Sequence, residues 1–292
     1  MSPALAGPWA GGLEDERLRT LLREDAPHGD LSTRALGLTG CAVQIHFQAR
    51  GAGVVAGIEA ATRLLQLCGV AAQPAVASGA RVDDGAPLLG GQGPAEGVLL
   101  GWKVAQNLVE AASGMARGAA AIVDVLRAEG FDIALACTRK APPGTHWWAA
   151  QAIEAGGAVM HRLGLSETLL VFPEHRALLP ADEVAARLQA LRHQQPERRL
   201  VVETGDEDEA LALARLGVDV LQLERFTPEA VARLHQALRA EGLAPRLAPA
   251  GGVNRGNALA YARAGADLLV SSAPYFAPPA EVQVRIFPAE GR

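Results

Sequence analysis

Ala136-Cys137-Thr138-Arg139-Lys140-Ala141-Pro142-Pro143-Gly144-Thr145 and, further along, Met160-His161-Arg162-Leu163-Gly164-Leu165-Ser166-Glu167 decide the reading of this chain. Each block follows or borders an apolar run, and each sets two potentially basic side chains beside a turn. In a parallel α/β protein such turns meet at the carboxyl ends of the strands, where ligands bind. Basic groups gathered at one rim make a pocket for an anion.

Outward from these blocks, a rhythm begins at Asp132. Strand-like runs occur at 133–137, 168–172, 200–204, 218–223, 246–250 and 267–271. Between most of them lie helix-length segments, at 147–155, 181–193, 207–216, 228–240 and 255–264, several closed by Gly156, Gly217, Gly242 or Gly265. Repeated β-loop-α units demand a parallel sheet with covering helices. Chemically useful residues fall just after several different strands, which favours a barrel over an open sheet.

Upstream the pattern is α+β. Residues 1–12 are small and Pro/Gly-rich, and read as frayed. A helix is expected over 13–23, then a polar loop at 23–33, a strand at 42–48, another at 54–57 and a helix over 58–68. Short strands are expected at Ala75-Val76 and Pro87-Leu88-Leu89. A long helix follows over 98–126, with interruptions expected near Gly114 and Gly118. Trp102 reads as ordinary packing, and His175 as loop surface. The tail at 281–287 alternates like a half-buried strand outside the βα rhythm, and can return to the first domain. The domain reading is therefore 1–115, 116–273 and a returning segment 274–292.

The bulk numbers set bounds. The chain has 292 residues, 49% of them apolar, so a sizeable core is possible. Only 4% are aromatic, so Ala, Leu, Val and Gly do most of the packing. A formal charge of −5 argues against broad nucleic-acid binding. Cys41, Cys68 and Cys137 lack metal-ligand spacing and suggest a reducing compartment. There is no signal-peptide pattern, and no apolar run reaches the roughly 18–20 residues a membrane span needs, so a cytoplasmic location is expected.

The rim then assembles in order. Arg139 and Lys140 follow the first strand of the rhythm, and His161 and Arg162 follow a short segment. Glu203 follows the third strand, Glu224 with Arg225 the fourth, Gly251-Gly252-Val253-Asn254 the fifth, and Ser271 and Ser272 the sixth. Arginine suits bidentate grip of carboxylate or phosphate. Paired glycines let backbone N–H groups approach a phosphate, and a helix starting near Asn254 or Gly256 would aim its amino end at an anion. Glu203 and Glu224 suit Mg²⁺, ribose hydroxyls or developing positive charge. There is no Ser-His-Asp pattern, zinc cluster, dinucleotide fingerprint or Walker loop.

Thr138-Arg139-Lys140-x-x-Pro-Gly with Ala155-Gly156-Gly157-x-x-x-His161-Arg162-x-Gly164-Leu165-Ser166 resembles the nicotinate-nucleotide pyrophosphorylase (quinolinate phosphoribosyltransferase) family. So do Glu24-Asp25-x-x-x-Gly29-Asp30-Leu31-Ser32-Thr33, Asn107 with Ser113-Gly114-Met115, Glu203, and Ala250-Gly251-Gly252-Val253. The resemblance runs from about Leu18 to Pro279. It implies an N-terminal α/β sandwich domain plus an incomplete, about six-stranded α/β barrel of the type II phosphoribosyltransferase kind, with the tail rejoining the sandwich. It also implies a homodimer, with Lys103 on the long helix lent to the partner's site. The implied reaction uses phosphoribosyl pyrophosphate and Mg²⁺. Gly251 and Gly252 would cradle the 5′-phosphate, while Glu203 and Glu224 would hold Mg²⁺ or ribose hydroxyls. Lys140 would neutralise pyrophosphate, and Arg139, His161 and Arg162 would grip an acidic group on the acceptor. Ser271 and Ser272 would border the phosphate end.

Departures from the family pattern sharpen the resemblance. The family normally carries Arg where this chain has Lys103, Lys where it has Phe172, and Asp where it has Glu224. Ala250 and Ser272 replace a Ser and a Gly. Losing a lysine opposite an anion costs several kcal/mol when that anion stays unpaired, which points away from quinolinate. Thr168-Leu169-Leu170-Val171-Phe172-Pro173-Glu174-His175-Arg176 looks closer to a divergent branch, the ModD proteins associated with molybdenum transport. The leading expectation is transfer of phosphoribosyl to an acidic nitrogen heterocycle. The alternatives are a carboxylating quinolinate enzyme of NAD biosynthesis, or a non-catalytic binder of a phosphorylated metabolite or an oxyanion such as molybdate.

Overall fold

The computed structural model describes residues 10–289. Most of the stretch expected to be frayed lies outside those residues, but 10–12 are already helical. The chain divides into two compact units, one running up to Arg117 and resuming at Pro278, the other being Gly118–Ala277.

The first unit opens with helices α1 (Ala10–Asp25) and α2 (Leu31–Ala35). The polar loop between them has a definite task. Asp30 accepts the Ser32 and Thr33 amides at 2.9 and 3.2 Å and so caps α2. Then come β1 (Ala42–Ala49), β2 (Gly53–Val54), α3 (Ile58–Leu67), β3 (Ala71–Pro74), β4 (Arg81–Val82) and β5 (Pro87–Pro94). β1, β5 and β3 form one antiparallel sheet, on which α3 packs. The apolar positions of α3 (Ile58, Ala61, Leu64 and Leu65) are all buried at helical spacing. Ala75-Val76, expected as strand, lies just past β3. Both amides share the Leu88 carbonyl, and the chain bends there instead of continuing the strand.

Helix α4 (Ala95–Ala128) runs 34 residues without a break. The expected interruptions at Gly114 and Gly118 do not occur. These glycines serve close approach: a Cβ at Gly114 would collide with the Pro278 carbonyl, and one at Gly118 would come within 2.8 Å of Ala277 Cβ.

The second unit continues with β6 (Ala134–Cys137), α5 (His146–Ala155), β7 (Val159–Met160), β8 (Leu169–Val171), α6 (Pro173–Ala177) and α7 (Val184–Gln194). After these come β9 (Leu200–Thr204), α8 (Glu207–Arg215), β10 (Val220–Glu224), α9 (Pro228–Ala240), β11 (Arg246–Ala250), α10 (Ala258–Arg263) and β12 (Leu268–Ser271). All ladders here are parallel, in the orders β11-β10-β9-β8 and β12-β6-β7. β11 and β12 lie side by side, tied at their starts where Asp267 N donates to the Leu247 carbonyl. The result is an incomplete α/β barrel. Its extra strand, β7, is too short for its alternation to stand out in sequence. α10 begins at Ala258, later than the glycine loop suggests, because Asn254 and Asn257 spend their amides on that loop.

Two helix-Gly-x-Asp steps repeat in this unit, Gly217-Val218-Asp219 and Gly265-Ala266-Asp267. Asp219 accepts the Leu200 amide at 2.7 Å, and Asp267 accepts the Leu247 amide at 2.8 Å. Each carboxylate therefore pins the start of a strand other than the one it precedes. Fully buried Leu135, Ile153 and Leu200 each contribute roughly 1.5–3 kcal/mol of burial.

The chain's last strand, β13 (Val282–Pro288), pairs antiparallel with β1 over Val43–Ala49 and completes the order β13-β1-β5-β3 in the first unit. Its start is held by Glu110, whose Oε1 accepts the Val282 amide at 3.0 Å.

Candidate active site

Strand alternation builds the interior of the parallel unit in layers. Successive strand residues face opposite sides, and register partners share a side. Gln222 pairs with Glu203 and with Ala248, and Glu224 pairs with Ala250. Val220, Gln222 and Glu224 therefore point inward from β10, beside Val201 and Glu203 from β9. The lower members (Leu170, Val201, Val220, Ala248, Ala250 and Val270) form one buried apolar cluster, with Phe172 and Leu268 packed against it. The polar members stand above, at the carboxyl ends of the strands, and line a cleft of about 1150 Å³.

One wall is acidic. Glu203 is half-buried, and the Gln222 side-chain amide donates to its Oε2. Burial pushes the Glu203 pKa up, and the carboxylates of Glu224 and Glu174 push the same way, while Gln222 and Lys140 pull it down. Behind it, buried Arg176 donates to the Glu203 main-chain carbonyl at 2.8 Å and to Glu209 Oε1 at 2.9 Å. Thr204 holds the other oxygen of Glu209, and Asp206 caps α8. Glu224 lies against the glycine loop. Gly251 has φ +77°, and a Cβ there would sit 2.6 Å from Glu224 Oε1. Backbone conformation and contact both require glycine at that position. Arg225 follows with φ 59°, its Nε 3.6 Å from Glu224 Oε1.

The opposite wall is basic. Arg139 and Lys140 stand exposed on the turn after β6, where Thr138 Oγ1 accepts the Lys140 amide at 3.2 Å. His161 donates its amide to the Cys137 carbonyl at 2.8 Å. Burial and the neighbouring Arg162 depress its imidazole pKa, so it stands neutral near pH 7. Arg162 is buried, and both desolvation and Arg139 act against its charge. Its guanidinium lies 5.7 Å from the centre of the Phe172 ring. His175, expected as plain loop surface, belongs to α6. Its Nδ1 accepts the Phe172 amide at 2.9 Å, and its ring stacks on Phe172 at 5.7 Å.

The floor between the walls is the loop after β11. Asn254 and Asn257 both donate to the Gly252 carbonyl, at 2.9 and 3.0 Å, and Asn254 Oδ1 accepts the Gly256 amide. Ser271 is buried. Its hydroxyl donates to the Val253 carbonyl at 2.6 Å and accepts the Ala273 amide at 3.0 Å, so it supports the loop from below. Ser272 lines the cleft. Tyr275 donates to the Thr138 carbonyl at 2.7 Å and steadies the basic turn.

Arg139, Lys140, His161, Arg162, Phe172, Glu203, Glu224, Gly251, Gly252, Ser271 and Ser272 all border this one cleft. Lys103 does not. It stands exposed on α4 in the first unit, bonded to Gln106 Oε1 at 2.8 Å, with its ammonium 4.1 Å from the Trp102 ring.

Comparison with known proteins agrees with this geometry. Residues 30–113 match the family described as quinolinate phosphoribosyl transferase, N-terminal domain, and 115–284 match its C-terminal domain. The chain belongs to the quinolinate phosphoribosyltransferase family. A ModD protein of Rhodobacter capsulatus is 48% identical over 257 residues, covering 87% of this chain and 97% of that protein. The nicotinate-nucleotide pyrophosphorylase (carboxylating) of Mycobacterium leprae is 33% identical, covering 88% of this chain and 91% of its own. The crystal structure of NadC from Streptococcus pyogenes shares the fold with a TM-score of 0.86 at 24% identity, covering 98% of this chain and all of that one. Within the quinolinate phosphoribosyltransferase family this chain is ModD-like, and its class of chemistry is that of a phosphoribosyltransferase. Among the described residues, no helix is long and apolar enough to cross a membrane.

Three residues were missed by reading sequence: Gln222 and Glu174, which line this family member's cleft, and Arg176, which braces Glu203 from behind. Gln222 carried a signal, as a polar residue two positions before Glu224 in an otherwise apolar run. Arg176 carried a fainter one. Pro173 suits the first turn of a helix, which would have turned Arg176 back toward the strands.

Proposed function

We propose that this protein moves the phosphoribosyl group from phosphoribosyl pyrophosphate to an acidic nitrogen heterocycle, releasing pyrophosphate. The observation that carries the reading is the division of a single cleft into a basic wall (Arg139, Lys140, Arg162) and an acidic wall (Glu203, Glu224) with a glycine loop between them. As the C1′–O bond breaks, positive charge develops on the ribose and negative charge on the leaving pyrophosphate. Carboxylates on one side and a lysine on the other stabilise that separation. A ring nitrogen is already nucleophilic, so orientation and electrostatics suffice without a strong base.

The residue roles follow. Glu203 and Glu224 face the ribose, Lys140 faces the pyrophosphate, and Gly251 and Gly252 offer backbone N–H groups to the 5′-phosphate. Arg139 and Arg162 hold the acidic group of the acceptor, with neutral His161 as a hydrogen-bonding partner. Mg²⁺ fits as a companion of the donor. Among the described residues no three His, Cys, Asp or Glu side chains gather into a cage. Mg²⁺, however, is usually held by one or two carboxylates together with substrate phosphates. Glu203 and Glu224 supply such carboxylates, and the negative charge they bring together is of the kind a cation relieves. Bound there, Mg²⁺ would supply charge neutralisation of the pyrophosphate. The same reading takes the protein as a homodimer in which Lys103, exposed on α4, is lent to the site of the second copy.

The test is pyrophosphate release by the pure protein with phosphoribosyl pyrophosphate and Mg²⁺, across a panel of nitrogen heterocycles that includes quinolinate. Turnover with an acidic heterocycle is expected. Donor-independent binding of phosphometabolites or molybdate, with no turnover for any ring, would overturn the reading. Brisk carboxylating turnover of quinolinate would place the protein with the NAD-forming relatives.

A further inference from the structure

We infer that the acceptor carries one acidic group rather than two, on a flat ring whose remaining edge is apolar, and that it is transferred without loss of carbon dioxide. The inference rests on the phosphoribosyl-transfer reading and narrows its substrate.

The basic residues that this chain puts in the cleft lining can be sorted by partner. Arg225 lies 3.6 Å from the Glu224 carboxylate, and Lys140 is the cation given to the pyrophosphate. Arg139 and Arg162 remain, with no hydrogen bond or ion pair to any carboxylate among the described residues. Arg162 is only 8% exposed. With no protein acceptor for its N–H groups among the described residues, the Arg162 guanidinium is open to the cleft, where an anionic ligand can supply one. Two neighbouring guanidiniums suit one carboxylate, gripped through parallel N–H···O bonds. His161, neutral beside them, adds no cation.

On the Phe172 side of Arg162 the wall is hydrocarbon, so a second acidic group on that edge of the ring would lie against it. The Phe172 ring stands beside Arg162, packed on the cluster of Leu170 and Val270, with the His175 ring stacked on it. An aromatic face carries negative potential, so it attracts a cation and disfavours a carboxylate. The same surface welcomes the flat apolar edge of a heterocycle. The acceptor's single anion sits at Arg139 and Arg162, and its ring lies along Phe172.

The reaction then balances simply. The ring nitrogen's lone pair forms the N–C1′ bond, the C1′–O bond breaks, and pyrophosphate leaves with that electron pair. The pyridine-type nitrogen becomes quaternary, and the ring keeps its one carboxylate.

The experiment uses the full chain with Mg²⁺ and three probes of one ring: pyridine-3-carboxylate, pyridine-2,3-dicarboxylate and pyridine-3-carboxamide. Calorimetry first measures binding of phosphoribosyl pyrophosphate. Failure of that step overturns both the transfer reading and this inference. With the donor bound, the monoacid is expected to bind about tenfold or more tighter than either the diacid or the amide. Pyrophosphate release without carbon dioxide is expected to follow. F172K is expected to move preference toward the diacid by about tenfold, while F172L keeps the wild-type order; circular dichroism checks that both fold. With the donor bound, diacid preference, equal binding of the three rings, binding of none, or carbon dioxide release would overturn this inference alone.

Discussion

Glu203 and Glu224 stand on strands β9 and β10 themselves, whereas Arg139, Lys140 and Arg162 stand on turns beyond β6 and β7. The acidic side is locked several times over. Gln222 holds one Glu203 oxygen, Arg176 holds the Glu203 backbone, and the Glu224 carboxylate lies against Gly251. On the basic side, Arg139 and Lys140 are exposed, and their turn is tied by Thr138 and Tyr275 rather than through their own side chains. Charge that must be present before substrate arrives is built into the sheet. Charge that meets the substrate's own anions stays free to adjust, at a cost of about 0.5–1.5 kcal/mol for each side chain ordered on binding.

The comparison breaks most sharply at Glu203. Glu203→Gln is expected to lower the rate of pyrophosphate release by about 10²–10³-fold, measured by steady-state kinetics. Its effect on stability has the opposite sign. Folded Glu203 keeps its proton to higher pH than the unfolded carboxyl, which titrates near 4.5. Through that window the folded state binds more protons, so stability falls as pH rises. Thermal melts should therefore show Glu203→Gln more stable than wild type at pH 7, with the gain vanishing below about pH 4. A variant that melts lower at pH 7 would show that Glu203 is stabilised by its surroundings.

Gly251→Ala comes next, because its Cβ meets Glu224 and its φ of +77° is strained for any side chain. Destabilisation of about 1–3 kcal/mol in urea unfolding is expected, with weakened binding of phosphoribosyl pyrophosphate. Arg176→Met removes the brace behind Glu203. Because Glu209 is 42% exposed, solvent screens that pair and the expected loss is about 1–2 kcal/mol. Activity should fall as well, although Arg176 is not among the cleft-lining residues. An unchanged rate would show that the brace does not position Glu203.

Gln222→Met should give the smallest effect and the most diagnostic one. It removes the hydrogen bond that holds the Glu203 pKa down, so the acid limb of the pH–rate profile should move to higher pH. The plateau should drop only a few-fold. A profile that does not move would separate Gln222 from the chemistry. Gln222 Oε1 is buried without a partner, so loss of that orphan offsets part of the destabilisation.

Much of the barrel was legible in sequence because its signals are local. The strand at 246–250 and the helix at 228–240 are found where alternation, Pro228 and Gly242 place them. α4 was misjudged at Gly114 and Gly118 because a glycine in a helix reads as a weakness, while its purpose lies in a segment more than a hundred residues away. Ala75-Val76 looked like a strand from composition, but both amides share the one Leu88 carbonyl and the chain bends there.

By itself, the sequence determined the βα order and which charged residues fall at the carboxyl ends of the strands. These follow from periodicity and turn chemistry within a few residues. Tertiary structure alone decided that burial and Arg162 lower the His161 pKa, that Arg162 lies beside Phe172, and that Gln222 and Arg176 hold Glu203 in place. Burial and proton affinity depend on what distant strands bring within a few ångströms, and no spacing along the chain records that.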